Sequence, residues 1–238
     1  DDENLSQTWK FSGAATLDGK NKTLDLSAGG RLEVLAGGKL TLRNMHLNGI
    51  LNDNLSCADG TASIEFRDVE LGISNSYHFG AGSFEVGSQL SCVGGGIFSY
   101  ESVEASTIAS GAIFEFGPLM TFSYSPTNTF DNRLIFTDST SQLHLDQATL
   151  KITSTGLEMH SGTLRLSHKN YVEADEPQGQ SLWAGLKLGT GLEYQNLSVH
   201  VNPGGSLEVK SGLLDYKNVE GLLNDVTAMG SEIAADGT

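Results

Sequence analysis

The sequence predicts an all-β fold: a single-domain, single-stranded parallel β-helix with triangular coils of about 21–24 residues. Three observations carry this reading. First, Leu24-x-Leu26, Leu32-x-Val34 and Leu40-x-Leu42 recur at a step of eight, separated by the near-identical turns Ala28-Gly29-Gly30-Arg31 and Ala36-Gly37-Gly38-Lys39. Alternating apolar and polar residues give one inward and one outward face, and paired glycines suit turns that need positive φ. Second, Leu143/Leu145, Leu150/Ile152, Leu157/Met159 and Leu164/Leu166 recur at a step of seven. A heptad invites a coiled coil, but residues i and i+2 share a side of a strand and not of a helix. Three steps of seven close one triangular coil. Third, apolar pairs open at Leu40, Ile64, Phe98, Met120, Leu143, Leu164, Leu186 and Leu207, at intervals of 21–24 residues except for one of 34.

Taken in order, residues 1–13 read as an N-terminal cap, with Trp9 and Phe11 covering the open end of the solenoid. Residues 14–216 are the β-helix. Its openings at Leu40, Ile64 and Leu143 align without gaps and place Asn44, Asp68 and Gln147 just after a strand, where a short polar side chain bonds the turn backbone. The 34-residue interval predicts a loop or irregular coil across 72–96 that carries Cys92 and offers Tyr77, His78 and Phe79 as interaction residues. The aromatic run over 97–137, from Phe98 and Tyr100 to Phe130 and Phe136, is expected in the core of wider coils rather than as a sugar-stacking platform. Residues 168–181 read as a second loop, with Tyr171, Glu173, Asp175 and Glu176 available to a partner. The GG turn returns at Pro203-Gly204-Gly205. Over 217–238 the pattern changes. Leu222, Leu223, Val226 and Met229 fall at helical spacing, which predicts a short amphipathic helix that caps the C-terminal end or docks on a neighbouring chain.

The 238 residues carry 29 acidic against 14 basic side chains, for a formal net charge of -15. A nucleic-acid partner is disfavoured because there is no basic stripe to neutralise phosphates. No apolar run approaches the roughly 20 residues that span a bilayer, so membrane insertion is not expected. The chain opens Asp1-Asp2-Glu3, as an exported chain does after removal of its signal peptide and as a trimmed one does too. Cys57 and Cys92 are candidates for a disulfide, which would fit an extracellular setting, with two separate buried thiols as the alternative. Asn4, Asn21, Asn54 and Asn196 head sequons that permit N-glycosylation in a eukaryotic host. Asp18, Asp131 and Asp138 are better explained by turns than by acid/base work. His144, Arg165, Lys187 and Glu208 are expected in one outward ladder. No catalytic constellation and no metal-ligand spacing stand out. No cofactor is expected, although an acidic surface suits Ca²⁺.

The run Thr16-Leu17-Asp18-Gly19-Lys20-Asn21, followed by the segment from Leu40 to Gly49, resembles the opening of bacterial parallel β-helix proteins of the pectate-lyase-like superfamily, including autotransporter passengers and adhesins. The specific match covers about the first 50 residues. The resemblance implies a right-handed coil and an extracellular or cell-surface location. The expected function is a non-enzymatic structural protein: a rigid spacer, an adhesin, or a subunit of a surface layer or filament that contacts itself or a surface protein or glycan. The alternatives are a polysaccharide lyase or hydrolase of that superfamily and a non-catalytic glycan-binding module.

Overall fold

A computed structural model describes residues 2–126, 132–153, 156–175, 185–188, 197–216, 226–228 and 233–235. Among these residues every regular element is a β-strand, and every strand pairing is parallel. The chain winds as a solenoid of three faces. The first face stacks residues 14–18 on 39–43, then 63–67, Ser83–Val86, Ser106–Ile108 and Leu134–Phe136. The ladder Leu157–Met159, Gly185–Leu188, Leu213–Tyr216 and Ile233–Ala235 continues it. The second face runs from 22–25 through 45–48, 69–72, Gln89–Val93, Ile113–Phe116, Gln142–Asp146 and Gly162–Ser167 to Leu197–Val201. The third face begins with Thr8–Phe11, Arg31–Val34 and Leu55–Cys57. It resumes with 76–79, Ile97–Tyr100, Thr121–Tyr124, Thr149–Thr153, Lys169–Asp175, Ser206–Val209 and Val226–Ala228.

The core is the column enclosed by the three faces. Leu24, Leu32 and Leu40, eight residues apart, lie on the second, third and first faces in turn, and all three are buried. The seven-step pairs do the same, and Leu143 and Leu145 sit in register with Leu164 and Leu166 one coil later. Each such side chain removed from water contributes roughly 1.5–3 kcal/mol. Midway along, the column turns aromatic. Phe98, Phe114, Phe116 and Phe122 are fully buried, and Phe79, Tyr100 and Tyr124 stack at centroid spacings of 6.1 and 5.7 Å. The expectation of a core role for these rings is met, although Phe130 lies outside the described residues.

The corners explain the polar residues that follow strands. Asn44, Asp68 and Gln147 have φ of 49°, 55° and 54°, the left-handed region that short polar side chains enter more readily than others. Asn44 and Asp68 turn the chain from the first face to the second, and Gln147 from the second to the third. In the returning GG turn Gly204 has φ of 79°, and a Cβ on Gly205 would lie 2.5 Å from the Leu166 carbonyl oxygen. Coil length varies while the register between rungs is kept. Ile64 pairs with Phe84 after 20 residues, and Asn170 pairs with Leu207 after 37.

Several expectations are corrected. The 34-residue interval from Ile64 to Phe98 compares two different faces, because Ile64 is followed in register by Phe84. Residues 72–96 are therefore ordinary coil. Tyr77 and Phe79 are core residues on a third-face rung, and only His78 between them is exposed. Residues 169–175 are likewise a rung and not a loop. Tyr171 and Glu173 lie on it, and Asp175 pairs in register with Thr153. Glu176 is outside the described residues. The segment 1–13 already contains the first third-face rung, in which Trp9 and Phe11 are half-buried against the core. At the other end Val226 lies in a strand paired with Leu207–Val209 rather than in a helix, while Leu222, Leu223 and Met229 fall outside the described residues.

Candidate functional site

In a parallel solenoid the outward side chains of successive coils stand in columns, because the register is kept from rung to rung. One such column runs along the second face: Thr23, His46, Glu70, Ser91, Glu115, His144, Arg165 and His200. Three neighbouring pairs in it bond one another. His46 Nδ1 is 3.1 Å from Glu70 Oε1. Ser91 Oγ donates to Glu115 Oε2 at 3.0 Å, and Gln89 Nε2 donates to the same oxygen at 3.2 Å. Glu115 Oε1 is 3.2 Å from His144 Nδ1.

From His144 the network turns along the rung. Its Nε2 lies 2.8 Å from Ser167 Oγ. Asn202 Nδ2 donates to that hydroxyl at 2.6 Å, and Arg165 Nη2 donates to Asn202 Oδ1 at 3.4 Å. Arg165 Nε is buried and has no hydrogen-bond partner. Five residues from four coils thus form one connected polar group: a carboxylate, an imidazole, a hydroxyl, an amide and a guanidinium.

The hydrogen bond from His144, helped by Ser91 and Gln89, holds the Glu115 carboxyl below its ordinary value of 4.5, against the opposing effect of burial. A carboxylate depressed in the folded chain adds stability above its unfolded pKa and loses it as pH falls through the folded value. The urea midpoint should therefore hold from neutral pH down to about 4.5 and then fall. In Glu115→Gln that acid-side loss should be shallower. Parallel acid profiles for the two chains would contradict this assignment.

The third face carries a shallow cleft of about 460 Å³ lined by Lys10, Arg31, Glu33, Asp53, Ser56 and His78. Its charges are paired with one another or with a neighbour: Lys10 with Glu33 at 2.9 Å, Arg31 with Asp53 at 2.6 Å, and His78 with Glu101 at 2.6 Å. On the first face Glu65 is buried yet ionised. Burial opposes its charge, but bonds from Lys39 at 2.9 Å, Thr41 at 3.1 Å and Arg67 outweigh it.

The remaining candidate residues are dispersed. Of the two alternatives for Cys57 and Cys92, the structure has the separate buried thiols and not the disulfide. They project into the core from the third and second faces, where burial pushes the Cys57 thiol up to about 12 and the Cys92 thiol well above its usual value. Asn54 is buried; its Oδ1 accepts from Leu51 N and its Nδ2 donates to the Gly49 carbonyl. In the folded chain this sequon side chain is thus turned to the backbone rather than to solvent. Asn4 and Asn21 are exposed, Asn21 at a corner with φ of 61°, and Asn196 lies outside the described residues. Asp18 is turn chemistry, as expected, accepting from Lys20 N at 3.0 Å, and so is Asp138, which accepts from Thr140 N at 2.8 Å. Asp131 falls outside the described residues.

The outward ladder expected of His144, Arg165, Lys187 and Glu208 divides. The first two are register neighbours followed by His200. Lys187 pairs with Glu158 on the first face, and Glu208 pairs with Lys169 on the third. Tyr171 lies under Lys210, 3.8 Å from ammonium to ring centroid, and Lys210 in turn meets Glu173 at 3.0 Å. Among the described residues no three His, Cys, Asp or Glu side chains are grouped as metal ligands would be, and no helix is long and apolar enough to cross a membrane.

Ser167 and Asn202 were missed because neither belongs to a sequence motif. The usable signal is the column itself, which appears only once each rung is assigned to its face. No protein-family model, curated protein or solved structure matches this chain. The parallel solenoid is established by its own ladders.

Proposed function

We propose that this chain is a rigid rod of an extracellular or cell-surface protein, a spacer or adhesin in the manner of the β-helix surface proteins of the pectate-lyase-like superfamily. The observation that carries the reading is the unbroken core combined with outward charges that bridge from coil to coil. Glu33, Asp53, Glu65, Glu70, Glu101 and Glu115 all meet a basic side chain or an imidazole. Such bridges stiffen a stack whose coils touch only their neighbours. The mechanism is geometric: a stiff body holds its corners and faces at fixed separations from whatever anchors it, with a second copy, a surface protein or a glycan as partner. The surface location rests on the sequence resemblance and the acidic charge, and no longer on a disulfide.

Electron microscopy of native material, with antibody labelling of intact cells, tests both parts. Straight particles of constant width and labelling without permeabilisation are expected. Flexible or globular particles would remove the rod, labelling only after permeabilisation would remove the location, and uniform monomers under every ionic condition would remove the filament version.

A further inference from the structure

The network on the second face has an order that a stacking ladder does not need. Glu115, His144 and Ser167 stand on three successive coils, with the carboxylate on one ring nitrogen and the hydroxyl on the other. A carboxylate only accepts, so the proton of the neutral ring sits on Nδ1, and Nε2 is left as an acceptor 2.8 Å from Ser167 Oγ. Asn202 Nδ2 already donates to that oxygen, which leaves the serine hydrogen free to point at Nε2. A hydroxyl, the base that takes its proton and the group that orients the base form a nucleophile relay, recognised by geometry and not by position in the chain.

We propose that Ser167, His144 and Glu115 form an acyl-transfer site that hydrolyses short acyl esters. Ser167 Oγ attacks the ester carbonyl carbon while its proton passes to His144 Nε2, and the carbonyl electron pair moves onto oxygen. Arg165, two residues before Ser167 on the same outward side of the strand and joined to it through Asn202, brings a guanidinium charge to the site, which favours a developing oxyanion. Collapse breaks the bond to the leaving alkoxide, which takes the proton from Nε2 and departs as the alcohol. Water then attacks the acyl-serine and gives a proton to Nε2. The carboxylic acid leaves as Ser167 recovers its own proton. Glu115 acts as a positioning residue throughout.

The surroundings restrict the substrate. Ser167 is 9% exposed and the His144 side chain 16%, so a small group reaches the hydroxyl where a bulky one does not. The outer face of a sheet gives a long acyl chain no walls. The class that fits is a short ester, such as an O-acetyl group, carried on an extended polymer that lies along the face. This activity goes beyond the rod reading and does not depend on it.

The test treats the folded full chain with a fluorophosphonate probe, locates any adduct by mass spectrometry, and follows p-nitrophenyl acetate hydrolysis in parallel. The expected result is an adduct on Ser167, absent from heat-denatured protein and from Ser167→Ala. His144→Gln should slow hydrolysis by about 10²–10⁴-fold. Glu115→Gln should lower kcat with KM unchanged. A folded wild-type chain that leaves Ser167 unlabelled and hydrolyses no faster than denatured chain overturns the proposal, whatever the variants do. So does hydrolysis that survives in Ser167→Ala, which would assign it to a surface imidazole. Straight rods with an inert Ser167 would keep the rod and remove the site.

Discussion

Asn170→Ala should destabilise the solenoid by about 3–5 kcal/mol, among the largest effects expected of any polar substitution in this chain. Asn170 is fully buried between the second and third faces and serves four backbone groups. Its Oδ1 accepts from Ala148 N at 2.9 Å, and its Nδ2 donates to the carbonyls of Ser167, His168 and Ser206 at 3.0, 3.1 and 3.3 Å. One side chain thus joins the coil before it to the coil after it. Alanine leaves the Ala148 N–H buried without a partner, at about 1–3 kcal/mol, and opens a void on top of that. Asn170→Asp should fare no better, since an ionised carboxylate accepts and cannot donate to three carbonyls. Urea denaturation gives the magnitude, and amide exchange at Ala148 gives the location. A loss under 1 kcal/mol with Ala148 still protected would show that the amide is not holding this corner.

Phe114→Ala should cost a similar amount, about 3–5 kcal/mol, by a different route. The ring is fully buried, with centroids of Phe84, Phe98, Phe116 and Phe122 at 5.6, 5.7, 4.6 and 5.5 Å. Neighbouring rings on stacked strands are held by the ladders and cannot collapse far into the void, which places the loss toward the upper end. The damage should also be local. Coils touch only their neighbours, so exchange protection should fall in Gln89–Val93, Ile113–Phe116 and Gln142–Asp146 and persist in Arg31–Val34. Phe114→Leu should recover most of the stability. Uniform loss of protection along the whole chain would mean that the solenoid melts as one unit.

The sequence showed the solenoid because its rungs repeat a local rule. A pair such as Leu143/Leu145 has inward side chains whatever lies above it, and the corner residues Asn44 and Gln147 report a backbone conformation that few side chains accept. Which face a rung occupies is not local. An apolar pair looks the same on all three faces, so spacing alone puts Ile64 and Phe98 in one series and makes the span between them look irregular, although it holds the third-face rung of Tyr77, His78 and Phe79. The site was hidden for the same reason. Glu115, His144 and Ser167 meet only because the coils before and after His144 have their own particular lengths. The inward turn of Asn54 and the separate faces of Cys57 and Cys92 likewise follow from that three-dimensional count and not from a sequon or a cysteine tally.

The unequal coils have an evolutionary consequence. Ile64 finds its partner after 20 residues and Asn170 after 37, yet both rungs meet in parallel register. Residues added between rungs are thus invisible to the ladders, while a single residue added inside a rung would turn every side chain after it to the wrong side. Descendants of such a chain can change length freely at the edges of the triangle and still inherit the same columns, so an alignment by fixed spacing would separate relatives that an alignment by rung would unite.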